Sequence, residues 1–209
     1  MKILLVAATE FEIRPSIMHL NEYGSGRILI KELVTGVGMT ATAYALGREL
    51  ALNKYDLLIN AGVAGAFDRS LELGEVVTVK SDNFMELGAE DGDKFLTIDE
   101  LGFGRCGIKP LINYENEVVD SLKNVRAVTV NKIHGNDESI YSTVSRLNPD
   151  VESMEGAAFF YACNEANLPC LQVRGVSNYV ERRNRESWNM ALAINNLNSF
   201  LIDFLNQLP

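Results

Sequence analysis

Cysteine, basic charge and long apolar runs are all scarce in this chain, and each shortage removes a class of protein. Cys106, Cys163 and Cys170 are the three cysteines. They lack the spacing of metal ligands and are too few for a disulfide scaffold, so reduced thiols in a cytoplasmic protein are expected. Lys and Arg number 19 against 28 Asp and Glu, a net charge of -9. A nucleic-acid surface needs clustered cations, so none is expected. No apolar run reaches the ~18 residues of a membrane span. The apolar start, Met1 to Thr9, is short and runs into Glu10 and Glu12. It reads as a buried first strand rather than a secretion signal. Gly36-Val37-Gly38 lacks the third glycine of a GxGxxG fingerprint, no GxxxxGK[ST] pattern occurs, and no cofactor or metal is expected. Repeats, low-complexity tracts and linkers are also absent.

What is present is the making of a core. The chain has 209 residues, 47% of them hydrophobic, and suits one domain over 1–209. Strand-like runs at 2–8, 27–35, 57–60, 75–81, 126–130 and 171–177 alternate with helix-like runs at 12–20, 39–52, 157–167 and 188–208. Pro15 is tolerable only in the first turn of its helix. The pattern predicts an α/β fold of three layers, a central mixed, mainly parallel sheet flanked by helices. The acidic, glycine-rich stretch 85–109 reads as a loop, suited to a lid or a subunit contact.

Four segments carry candidate chemistry, because strand ends and helix starts are where open α/β folds assemble ligand sites. After strand one, Glu12 is placed to act as a general base on water; the structural alternative is an acidic first turn facing the helix dipole. Glu10 has that alternative too and reads as the solvated partner. Gly36-Val37-Gly38 allows close backbone approach to a ligand, or is simply a tight turn. Asn60-Ala61-Gly62-Val63-Ala64-Gly65-Ala66 reads as a narrow turn whose amides, at Val63 and Gly65, face a substrate, or again as tight packing. The fourth is a pair: Met154-Glu155 at a helix entry and Asn178 at the end of a strand. A carboxylate accepts from two neighbouring sugar hydroxyls, and Met offers an apolar face to the sugar. A helix-start charge and a turn residue are the alternatives.

Together these segments resemble the purine nucleosidase and nucleoside phosphorylase superfamily, in particular the nucleosidase branch that includes 5′-methylthioadenosine/S-adenosylhomocysteine nucleosidases. The resemblance runs through Ala8-Thr9-Glu10-Phe11-Glu12, Thr35-Gly36-Val37-Gly38, the 60–65 segment, Val151-Glu152-Ser153-Met154-Glu155 and Val173-Arg174-Gly175-Val176-Ser177-Asn178. It implies a nucleoside phosphorylase-like fold and hydrolysis of an N-glycosidic bond. Glu12 would deprotonate the attacking water, Met154 and Glu155 would hold the ribose, and Asn178 would face the base near N7. It also implies a residue stacking on the purine from the 132–138 segment, for which His134 and Ile133 are the candidates. A homo-oligomer acting on a small nucleoside, apart from any membrane, is implied as well.

Two positions depart from the family pattern. Val63 stands where Ser is usual, and Asn178 where adenine-specific members carry Asp. A protonated Asp donates to N7 and accepts from the adenine amino group. A 6-oxopurine presents only acceptors on that side, and an amide NH₂ donates to them. A buried polar group left unpaired makes such a site selective. Asn178 therefore points to hypoxanthine. The branch with that preference acts on a nucleoside bearing a benzoate arm on its 5′ side, and the 87–93 and 178–185 segments resemble it too. Arg183, with Arg182 and Arg185, would then pair with the benzoate, unless the three are a solvated charge run. His19 and Trp188 read as structural. An adenine-directed nucleosidase, a phosphorylase and a non-catalytic nucleoside sensor are the rival readings.

Overall fold

The computed structural model describes residues 1–24 and 28–208. Strand β1 (Lys2–Ala7) is almost wholly buried and pairs in parallel on both edges, with β2 (Leu29–Val34) and β3 (Leu57–Ala66). Its two faces feed two cores. Leu4 and Val6 pack with Leu46, Phe159 and Phe160; Ile3 and Leu5 pack with Ile13, Leu197, Leu201 and Phe204. Burial on both sides is why this strand reads as an unbroken apolar run instead of an alternation. The helices that supply these layers are α2 (Met39–Leu52) and α5 (Gly156–Glu165) on one side, α1 (Glu10–Tyr23) and α6 (Met190–Asn206) on the other.

The other strands are β4 (Val76–Phe84), β5 (Gly88–Asp91), β6 (Lys94–Thr97), β7 (Gly107–Ile108), β8 (Lys123–Thr129), β9 (Val151–Ser153) and β10 (Cys170–Tyr179). Helices α3 (Glu117–Asp120) and α4 (Asp137–Leu147) complete the order. Within the main sheet, five strand pairings are parallel and three antiparallel. This is the expected α/β class, with a mixed, mainly parallel sheet and flanking helices. The layering differs from an open sheet, however. Strand β3 pairs with both β10 and β9, and β10–β4–β8–β9 links those two ends, so five strands close into a ring with β1 and β2 extending from it.

The closed ring explains one departure from the sequence reading. The small-residue segment 60–66 is strand, not turn: β3 runs straight through it to Ala66. Three strands crowd around this stretch, and glycine and alanine are what allow their backbones and buried groups to approach. Asn178 likewise lies inside β10, at a bulge between Val176 and Asn178, and not beyond the strand. Helix α1 starts at Glu10, earlier than expected, because Thr9 caps it and Glu12 turns back onto the Thr9 backbone. Pro15 consequently lies in the second turn, at the cost of one helical hydrogen bond. The 85–109 stretch holds the β5–β6 hairpin and β7. Arg27, expected to open β2, lies outside the described residues.

Candidate active site

Glu12 is the third residue of α1, directly past the carboxyl end of β1, and only 9% exposed. The Thr9 backbone N–H and hydroxyl both donate to its Oε2, at 2.9 and 3.0 Å. The Val63 N–H donates to Oε1 at 3.1 Å. The carboxylate is thus fixed by neutral donors, two on Oε2 and one on Oε1, so a lone pair of Oε1 remains free for a ligand or water. Gly62 makes the approach possible: a Cβ there would stand 2.7 Å from Glu12 Oε1 and 3.6 Å from Arg174 Nη1.

Arg174 itself is the largest fully buried side chain among the described residues. Its Nη1 donates to the backbone oxygens of Asn60 (3.3 Å) and Val173 (3.0 Å), and its Nη2 donates to the Asn60 side-chain oxygen. Its Nε has no partner. Burial pulls the guanidinium below its ordinary pKa, and Glu155, Glu12 and Asp82 oppose that pull. Sequence motifs alone did not mark Arg174 as a site residue. A lone Arg inside an apolar strand was the available signal, since a fully buried cation needs partners.

Glu155 caps α5 and is 9% exposed. Its Oε1 accepts the Gly38 N–H at 2.9 Å and its Oε2 the Met154 N–H at 3.3 Å. Gly38 has φ 98 and Gly36 φ 84, a turn that an L side chain would strain, and this turn aims the Gly38 amide at Glu155. Burial pushes the Glu155 carboxyl above its ordinary pKa; the Gly38 bond and Arg174 act against this, and Glu12 adds to it. Asn178 accepts from the Ser177 hydroxyl at Oδ1 (2.8 Å) and donates from Nδ2 to the Tyr179 carbonyl (3.0 Å). A carbonyl can only accept, so the nitrogen end of the amide is fixed and its second N–H is left for a ligand.

These groups meet around one cavity of about 210 Å³, whose wall includes Glu12, Val63, Gly65, Ile133, Met154, Glu155 and Asn178. Val37, Ser153, Trp188 and Met190 also line it. Ser153 Oγ is buried there without a partner. Volume does not select this site, since a cavity of about 710 Å³ beside Arg105, Lys109 and Tyr161 holds none of these carboxylates.

Two of the expected residues stand elsewhere. His134 does not line the cavity; its ring lies between Glu152 Oε2 (2.5 Å) and Thr143 Oγ1 (2.9 Å). Arg183 is exposed and lies over the Trp188 ring, 5.4 Å from its centroid. Trp188, read as structural, forms part of the wall. Among the described residues, no group of three or more His, Cys, Asp or Glu could hold a metal ion, and no helix is long and apolar enough to cross a membrane.

The chain matches the family model described as the phosphorylase superfamily over residues 8–206. It is 29% identical over 145 residues to a futalosine hydrolase of Streptomyces coelicolor, covering 67% of this chain and 61% of that protein. The match therefore spans less than two thirds of that relative's length. It is also 29% identical over 173 residues to a 5′-methylthioadenosine/S-adenosylhomocysteine nucleosidase of Staphylococcus aureus, covering 78% of this chain and 75% of that one. In structure it resembles the futalosine hydrolase of Helicobacter pylori, with a TM-score of 0.85 at 17% identity over 99% of this chain and 98% of the other. The chain belongs to the phosphorylase superfamily.

Proposed function

We propose that this member of the phosphorylase superfamily is a nucleosidase that hydrolyses the N-glycosidic bond of futalosine and releases hypoxanthine, a step of the futalosine route to menaquinone. The observation that carries the choice of base is Asn178, which lines the cavity and has a second amide N–H beyond the one given to Tyr179. An N–H pointed at the 6-position suits O6 of hypoxanthine, an acceptor, and opposes the amino group that adenine carries there. In this reading Glu12 takes the proton of the attacking water. The Thr9 and Val63 donors orient its carboxylate. Glu155 accepts from the ribose hydroxyls while Met154 packs on the sugar. Both carboxylates and the buried Arg174 set the field around the oxocarbenium-like carbon, the carboxylates countering its developing positive charge.

Water as the acceptor is supported by the cavity wall, which carries carboxylates and, among the described residues, no Lys or Arg with which to hold phosphate. The single domain 1–209 would carry the whole site. Exposed Tyr44 on α2 and Tyr161 on α5 suit a homo-oligomer paired through those helices, in the cytoplasm. The second reading, an adenine-directed nucleosidase, is favoured by the equal identity to the Staphylococcus aureus relative. The deciding assay is release of free base from futalosine, with methylthioadenosine and inosine plus phosphate as controls. Hypoxanthine from futalosine without phosphate is the expected result. Faster release of adenine from methylthioadenosine would sink this reading in favour of the second.

A further inference from the structure

An amide is a poor acid, so Asn178 leaves open where the departing purine finds its proton. Among the described residues, the cavity wall carries three carboxyls, Glu12, Glu152 and Glu155, and no imidazole or amine. Glu12 and Glu155 are tied to the water and ribose ends through Val63 and Gly38. Glu152 is at the base end. Gly65 is the register partner of both Asn178 and Glu152, so the two side chains leave the sheet on the same face with only a hydrogen between them. A Cβ on Gly65 would lie 3.2 Å from Asn178 Nδ2 and 3.6 Å from Glu152 Cγ.

Glu152 is 1% exposed and both its oxygens meet His134: Oε1 accepts the His134 backbone N–H at 3.2 Å, and Oε2 lies 2.5 Å from Nδ1. The location of the hydrogens follows from Thr143. Its hydroxyl donates its one hydrogen to the Ser139 carbonyl at 2.9 Å. It must therefore accept from His134 Nε2, 2.9 Å away. With Nε2 protonated, the short Nδ1 contact needs one further proton, held by Glu152 or shared with the ring.

We propose that this shared proton is the one delivered to the leaving base, with Glu152 as the general acid. As the C1′–N9 bond breaks, its electron pair moves into the purine, and the Glu152 proton passes to ring nitrogen N7. The attacking water gives its proton to Glu12, and the Glu152–His134 pair is reprotonated from solvent after the base leaves. The surroundings favour a held proton: burial pushes the Glu152 carboxyl above its ordinary pKa, Glu86 adds to this, and His134 acts against it. Glu12 and Glu155 face it across the cavity, and Phe67 packs against the His134 ring.

This inference rests on the hypoxanthine-releasing reading, so the base released by the unaltered chain is measured first and tests that reading alone. The ratio of variant to unaltered kcat then tests the acid. A general acid works only while protonated, so activity should fall as pH rises through the loss of the Glu152 proton. Glu152→Gln should lower kcat on futalosine by ~10²-fold or more and abolish that alkaline limb. The same variant should stay within about threefold of the unaltered chain on 4-nitrophenyl β-D-ribofuranoside, whose leaving group departs without a proton. His134→Gln, which keeps Glu152, should displace the limb. Glu152→Gln with near-unaltered kcat on futalosine, an equal loss on both substrates, or an alkaline limb unmoved in both variants would each overturn the proposal.

Discussion

Asp82 is fully buried in β4 and lies apart from the cavity wall, which makes it a clean test of how this interior handles charge. Its Oδ1 accepts from the Thr129 hydroxyl at 2.8 Å and its Oδ2 from Gln172 Nε2 at 3.0 Å. Burial pushes its pKa from 3.8 to about 6, against the opposing effects of Gln172, Thr129 and Arg174. The folded protein thus holds this proton more tightly than the unfolded chain does. Below pH 4 both states are protonated and the residue has no net effect. Between pH 4 and 6 the unfolded chain ionises first, so stability falls as pH rises; above pH 6 the loss is complete. Two pKa units correspond to roughly 3 kcal/mol. Asp82→Asn removes that loss. Gln172 can accommodate it, because its Oε1 is buried without a partner and a flip of the amide would let it accept from the new NH₂. The variant should therefore melt ~6–12 °C above the unaltered protein at pH 8, with the gap closing toward pH 4. Thermal melts of both proteins from pH 4.5 to 8 measure this. A variant destabilised equally at every pH, or one whose disadvantage grows toward high pH, would refute the argument.

Glu12→Gln should lower kcat for base release by ~10²-fold or more with little change in KM, because the amide cannot take the proton of water; steady-state kinetics on futalosine decide it, and near-unaltered turnover would remove Glu12 from the chemistry. Asn178→Asp should move the kcat/KM ratio of futalosine to methylthioadenosine toward the adenine nucleoside, and an unchanged ratio would refute the donor argument. Gly65→Ala would bring a methyl group to 3.1 Å from Val180 Cγ2 and 3.2 Å from Asn178 Nδ2. It should raise KM by ~10-fold while the protein stays folded, read from kinetics and circular dichroism together, since a misplacement of about 1 Å in a site is costly; unaltered KM would mean that Asn178 does not need its present position.

Helix and strand periodicity was legible wherever one element met one core. Helix α2 has the bounds that its Ala and Leu spacing suggests, 39–52. What stayed hidden depends on pairing between distant strands. The 60–66 segment reads as a turn because glycine and alanine are both depleted in strands, and only the approach of β9 and β10 makes it strand. Strand β9 has three residues, too short for any period to register. Glu12, Met154, Glu155 and Asn178, which line the cavity, were legible through the motifs that carry the family resemblance. Arg174 and Glu152 lie in the same motifs, but their burial and partners come from strand pairings that no local pattern shows. His134 was the reverse case: a residue type that invites a ligand role, spent on Glu152 and Thr143.

The Asn178 side of the cavity depends on a single slip of register. Along a regular strand, residues two apart share a face, so Asn178 would lie with Gln172, Arg174 and Val176. Arg174 and Val176 pair with Gly62 and Ala64, but the bulge after Val176 moves Asn178 onto Gly65. One residue of slip carries a side chain to the opposite face. The amide is thereby taken from the side of Arg174 and Val176 and set beside Gly65 and Glu152. The strand thus performs two tasks that its period would forbid together: Arg174 stays inside as counter-charge to Glu155, Glu12 and Asp82, and Asn178, four positions on, turns to the cavity. Removing the bulge would preserve every residue of the site and still dismantle it.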